Sequence, residues 1–203
     1  MFSAGGDLKY FEAQGDRLGA SLKEITGLLH AAIGRMAHMD APVVGAINGM
    51  AAGAGFSLAA ACDYAIAGTS TRFTLAYTAA GLSPDGSSTW FLPRLIGLRR
   101  ARELMLTNRM LGAEEAQQMG IVDRVVADDE LEAEAMAQAK AFAAGPTKAY
   151  GATKRLLQDT WTGGLETQMD RETRPISDLT RTADAREGID AFVNKRKPSF
   201  TGK

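Results

Sequence analysis

Apolar residues recur three and four positions apart at Leu18, Leu22, Ile25, Leu29, Ile33 and Met36. This spacing lays one apolar stripe along a helix and predicts an amphipathic helix over about 18–39. Asp40-Ala41-Pro42 ends it, because the residue before a proline avoids helical backbone angles. Val43-Val44-Gly45-Ala46-Ile47 is a short apolar run between Pro42 and Asn48-Gly49, the pattern of a buried strand. Gly49 to Gly55 reads as a glycine/alanine loop, Phe56 to Cys62 as a helix, and Asp63 to Ala67 as a second short strand. Residues 77–89 are rich in Gly, Ser, Thr and Pro and read as a loop. Helices are expected around 99–107 and around 113–119, the latter stopped by Gly120, with a third strand from Ile121 to Val126.

After Asp128 the pattern is helical, with breaks at Gly145-Pro146 and Gly163-Gly164. Short strands alternating with helices point to an α/β layer with parallel strands. The expected organisation is an α/β core over 1–127 followed by a helical region over 128–203.

Composition narrows the function classes. The net charge of -1 disfavours a nucleic-acid binder, which needs clustered Lys and Arg to neutralise phosphates. One cysteine, Cys62, allows no intrachain disulfide and fits a reducing compartment, so a cytoplasmic location is expected. With two histidines and that single cysteine, no metal site is expected. Ala41 to Cys62 carries no charge, but Pro42, Asn48 and its glycines and alanines make it unlike a Leu/Ile-rich membrane span. Nor does the start of the chain show the basic and apolar regions of a signal peptide.

Four stretches could carry chemistry. Gly53-Ala54-Gly55, between a strand and a helix, can aim backbone N–H groups and a positive helix end at one point, or can simply let the two elements pack closely. Ala4-Gly5-Gly6-Asp7 exposes backbone too, or is a turn in which Asp7 caps the next helix. Gly55-Phe56-Ser57-Leu58-Ala59 approaches a nucleophile elbow, but His30 and His38 both precede Ser57, so the required base is not in place. Both histidines read as structural or surface residues. Pro84-Asp85-Gly86 reads as a turn with a helix cap, or as a carboxylate base. No other charge lies between Thr74 and Phe91, and an apolar pocket there would raise the aspartate's pKa and improve it as a base.

In their order and spacing these segments resemble the enoyl-CoA hydratase/isomerase (crotonase) superfamily. The strings that carry the resemblance are Phe2-Ser3-Ala4-Gly5-Gly6-Asp7-Leu8, Ala41-Pro42-Val43-Val44-Gly45-Ala46-Ile47-Asn48-Gly49 and Ala52-Gly53-Ala54-Gly55. Gly81-Leu82-Ser83-Pro84-Asp85-Gly86, Leu92-Pro93-Arg94-Leu95-Ile96-Gly97 and Glu187-Gly188-Ile189-Asp190-Ala191-Phe192 extend it along nearly the whole chain.

The resemblance implies an α/β fold, a crotonase-like spiral core with a helical C-terminal region that packs between subunits as a homotrimer or homohexamer. It implies an oxyanion hole for a thioester, made by the N–H groups of Gly6 and Ala54. It implies an acyl-CoA substrate, with no cofactor beyond the coenzyme A moiety, bound near Ala4, Gly6, Asp7 and Leu8, with Phe192 and Lys195 assisting. Where hydratases of the family carry two glutamates, this chain has Ser57 and Tyr77. Asp85 stands where isomerases of the family have a catalytic aspartate. Isomerisation of an unsaturated acyl-CoA is therefore the expected activity. The alternatives are hydration, dehalogenation of an aryl-CoA whose ring Tyr77 and Trp90 would frame, and acyl-CoA or partner binding without turnover. The family also has strands ahead of Phe2-Ser3-Ala4, so a first sheet with an unpaired edge is expected.

Overall fold

The computed structural model describes residues 1–203, which divide into two compact units. The first comprises Met1–Met36 and Val44–Ala135, the second Ala37–Val43 and Met136–Lys203.

The first unit opens with helices α1 (Leu8–Gln14) and α2 (Leu18–His38), the last two residues of α2 belonging to the second unit. The chain then steps repeatedly between two small sheets. Strand β1 (Val44–Ile47) turns at Gly49 into β2 (Met50–Ala52), which leads into α3 (Ala54–Ala60). Strand β3 (Tyr64–Gly68) turns into β4 (Arg72–Thr74). Helices α4 (Ser88–Ile96) and α5 (Leu98–Thr107) follow, then β5 (Leu111–Gly112), α6 (Ala113–Met119) and β6 (Arg124–Val126).

One sheet has the order β1-β3-β6, all parallel, with Val44 opposite Tyr64 and Ile66 opposite Arg124. The other has β4 between β2, which is parallel to it, and β5, which is antiparallel. Central β3 buries Ala65, Ile66 and Ala67 in succession, as a parallel strand covered on both faces should. The two strand-to-strand turns are tied together by the buried Thr71, whose hydroxyl donates to the Ile47 carbonyl at 2.7 Å.

The main core of this unit packs Phe56 of α3 on Phe73 of β4, ring centroids 5.3 Å apart, with Ile47, Leu75, Leu92, Leu104 and Leu111. Each fully buried side chain of this size contributes about 1.5–3 kcal/mol relative to exposure. That core holds α3 and α4 against the second sheet, and the site described below is built on their ends.

Three features differ from the sequence expectations. The glycine/alanine stretch 49–55 contains strand β2, because Phe2-Ser3 and β4 flank it and pair with its backbone. β4 and β5 are too short to show an alternating pattern. The loop expected over 77–89 ends two residues early, at Ser87, where α4 starts and runs through Pro93.

Helix α7 (Leu131–Ala143) begins in the first unit, with Leu131 and Ala135 packed on Ile66, and continues into the second. The division between units therefore falls inside this helix rather than at residue 127. The second unit continues with α8 (Thr147–Asp159), α9 (Leu165–Leu179) and α10 (Ala183–Val193). Helix α8 is fastened to the Asp40-Ala41 segment. Lys154 Nζ donates to the Ala41 carbonyl at 3.1 Å, and Arg155 pairs with Asp40 at 2.6 Å. At the start of α10, the buried Asp184 accepts from the N–H groups of Thr201 and Gly202 at 2.7 and 2.8 Å, anchoring the C-terminal residues. No helix is long and apolar enough to cross a membrane, and the uncharged stretch 41–62 folds mainly as β1, β2 and α3.

Candidate active site

The N-terminal residues are laid along β2. Phe2 N–H donates to the Asn48 carbonyl at 2.7 Å, Ser3 N–H to Met50 at 3.0 Å, and Ala52 N–H to Ser3 at 2.8 Å. This pairing brings the next residues to the start of α3. Gly5 has φ +84, and a Cβ there would lie 2.7 Å from the Ala52 carbonyl and 3.1 Å from the nitrogen of Ala54. Only glycine allows both the backbone angle and the approach. Gly6 follows, exposed, with Phe11 against it such that a Cβ would lie 2.5 Å from the ring. Asp7 caps α1, accepting from Lys9 and Tyr10 N–H groups at 3.0 and 3.1 Å. Its carboxylate is thus occupied in the way a helix cap requires. Ala4 and Leu8 are exposed on either side.

Ala54 is the first residue of α3. It follows Gly53, whose backbone (φ 52, ψ -122) is closed to most side chains and which offers no side-chain cap. The first N–H groups of a helix have no partner within it and form its positive end. The Ala54 N–H therefore stands at a helix start close to the Gly5 backbone, suited to an oxygen carrying negative charge.

Beside this start, three side chains converge. Tyr77 donates its hydroxyl to Asp85 Oδ1 at 2.6 Å. The Tyr77 and Ser57 hydroxyls are 3.1 Å apart, and Ser57 also donates to the Asp85 carbonyl at 2.9 Å. Ser57 is fully buried on α3. Gly53 links this cluster to the helix start, since a Cβ on it would lie 3.8 Å from the Cα of Gly5 and 4.0 Å from the Tyr77 ring. Burial pushes the Tyr77 hydroxyl well above its ordinary pKa, and its bond to Asp85 adds to the shift. Tyr77 accordingly stays a donor at neutral pH and orients the carboxylate through one oxygen, Oδ1.

The turn expected at Pro84-Asp85-Gly86 is present, with Ser88 N–H donating to the Asp85 carbonyl at 3.3 Å. The helix-cap reading of the carboxylate is corrected. Helix α4 follows Ser87, which makes no side-chain cap bond, and the Asp85 carboxylate is engaged by Tyr77 instead. Trp90 lies one turn further, partly exposed, with the Arg94 guanidinium 3.4 Å from its ring centre. One face of that indole is thereby covered. Phe192 and Lys195 lie in the second unit at the end of α10, Phe192 being 86% exposed.

One member of this neighbourhood escaped the sequence reading. His30, expected from the sequence to be a structural or surface residue, accepts a hydrogen bond at Nε2 from the Gly86 N–H at 3.3 Å. No local pattern on α2 marks this contact, which joins residues far apart in the chain.

The family model described as enoyl-CoA hydratase/isomerase matches residues 1–203. This chain belongs to the enoyl-CoA hydratase/isomerase family. It is 40% identical over 202 residues to a probable enoyl-CoA hydratase of Rhodobacter capsulatus, covering 100% of this chain and 77% of that one. It is 42% identical over 169 residues to a 1,2-epoxyphenylacetyl-CoA isomerase of Escherichia coli, covering 83% of this chain and 64% of that one. Among solved structures, an enoyl-CoA hydratase from Polaromonas sp. JS666 superposes with a TM-score of 0.91 at 31% identity, covering 98% of this chain and 77% of that one. The fold is thus the crotonase-like α/β core followed by a helical C-terminal region, and the protein is an acyl-CoA-processing enzyme of this family.

Proposed function

We propose that this enzyme isomerises an unsaturated acyl-CoA by a proton shift, with Asp85 as the base and the N–H groups of Gly6 and Ala54 as the oxyanion donors. The observation that carries this reading is the Ser57–Tyr77–Asp85 cluster, in which one carboxylate is oriented by a neutral phenol and no second carboxylate takes part. Asp85 removes a proton from the α-carbon of a β,γ-unsaturated thioester. The electron pair moves onto the thioester oxygen, held by the two N–H groups. Asp85 then returns a proton to the γ-carbon, and the double bond comes to lie between the α- and β-carbons. Substrate and product have the same atoms and the same oxidation state, so the step calls for no cofactor beyond the substrate's own coenzyme A. The name of the Escherichia coli relative, an acyl-CoA isomerase, supports this direction. A screen of unsaturated acyl-CoA thioesters tests it, with isomerised product and deuterium uptake at the α- and γ-carbons as readouts. Binding of thioesters across the panel without turnover or exchange would contradict it.

Hydration is expected to be absent or slow. Adding water across a double bond needs one group to activate the water and another to deliver a proton, and the Ser57 and Tyr77 hydroxyls are poor substitutes for carboxylates in both roles. Turnover of crotonyl-CoA to the hydroxyacyl product at ordinary enzyme rates, about 10 per second, would contradict this.

The C-terminal region is expected to assemble the protein into a homotrimer or homohexamer. In the second unit Leu157, Trp161, Leu165 and Ile176 are each more than 60% exposed, and α9 buries none of its residues. An apolar helix face of this kind gains by meeting a partner surface. Light scattering at micromolar concentration should report the oligomer, and a monomer would contradict the expectation.

A further inference from the structure

We propose that His30 is a positioning residue for Asp85, acting through the peptide bond between Asp85 and Gly86. This rests on the reading of Asp85 as the base. A peptide unit is planar, so holding both of its edges fixes its orientation. The carbonyl edge of this unit accepts from Ser57 Oγ at 2.9 Å and Ser88 Oγ at 3.0 Å. Its N–H edge, on Gly86, donates to His30 Nε2 at 3.3 Å. Three helices therefore locate one peptide, α2 through His30, α3 through Ser57 and α4 through Ser88.

The plane of that unit sets the direction in which the Asp85 side chain leaves the backbone. Tyr77 then fixes the carboxylate at the far end. Gly86 is itself buried with φ +58, and a Cβ there would lie 2.9 Å from the Cβ of Ser57 and 3.4 Å from Leu29 of α2. The turn is thus closed against α3 on one side and α2 on the other, and His30 supplies the side-chain acceptor for the N–H edge. The geometry requires a neutral imidazole with its proton on Nδ1, since Nε2 must offer a lone pair. His30 is otherwise exposed, so a role in packing alone would leave catalysis unchanged when it is replaced.

Two substitutions and one spectrum test the proposal. His30→Leu removes the acceptor, whereas His30→Gln returns an amide oxygen at about the same reach. With trans-3-hexenoyl-CoA as the probe, His30→Leu is expected to lower kcat by about 10²-fold, the cost of misplacing a reacting group by roughly 1 Å, with KM unchanged. His30→Gln should recover most of kcat. Equal losses in both variants would place His30 in proton transfer itself and overturn the positioning role. An unchanged kcat in His30→Leu, with Asp85→Asn inactive, would overturn it while leaving the base reading intact. Full activity in Asp85→Asn would instead remove the base reading, and this role with it. Independently of turnover, long-range nitrogen-15 correlation should find Nε2 of His30 unprotonated and Nδ1 protonated. The opposite tautomer would overturn the contact.

Discussion

Asp85→Asn is expected to lower isomerase turnover by roughly 10²–10⁴-fold, the usual contribution of a positioned general base, while acyl-CoA affinity stays near that of the wild type. The structure makes this a clean substitution. Asparagine keeps an oxygen that can accept the Tyr77 hydroxyl, now bonded to Oδ1 at 2.6 Å. The contacts from Ser57 and Ser88 go to the backbone carbonyl and survive the exchange. The carboxylate caps no helix, so no cap is lost in the exchange. What is lost is the capacity to take up a proton. The rate and the acyl-CoA dissociation constant, measured together, separate this from a defect in binding. Full turnover in the variant would leave Asp85 as a turn residue.

The second large effect is expected from Ala54→Pro. Ala54 is the first residue of α3, where proline is accommodated because its missing N–H would have had no partner within the helix. Gly53 before it has no side chain and lies outside the helical region that proline disfavours in its predecessor. The substitution therefore removes one donor with little cost to the helix. Loss of one oxyanion donor should reduce turnover by about 10²–10³-fold. Circular dichroism checks that the fold is kept, since Gly5 lies close to the Ala54 nitrogen. A folded variant with unchanged turnover would exclude that N–H from the mechanism.

Much of the frame was legible because periodic burial writes itself into the chain. The stripe from Leu18 to Met36 corresponds to α2, and Val44–Ile47 to β1, each within two residues of the expected limits. Gly120 ends α6 in a left-handed conformation, as its position suggested. Strands β2, β4 and β5 were not legible. They are two or three residues long, and β2 and β5 are made in part of alanine and glycine, so what defines them is the backbone beside them rather than any pattern of their own. The same contrast holds in the site. Asp85 stood out as the lone carboxylate between Asp63 and Glu103. That Ser57 and Tyr77 would close on it, and that His30 would hold the following peptide, depends on how α2, α3 and α4 pack, which no local spacing encodes.

In the proposed mechanism Asp85 moves a proton next to the thioester. Deuterium uptake from D2O at the α- and γ-carbons of an unsaturated acyl-CoA, compared between wild type and Asp85→Asn, tests it most directly. Wild-type enzyme should exchange both positions while the variant, still binding the thioester, should exchange neither above background. Exchange by Asp85→Asn at the wild-type rate would contradict the assignment.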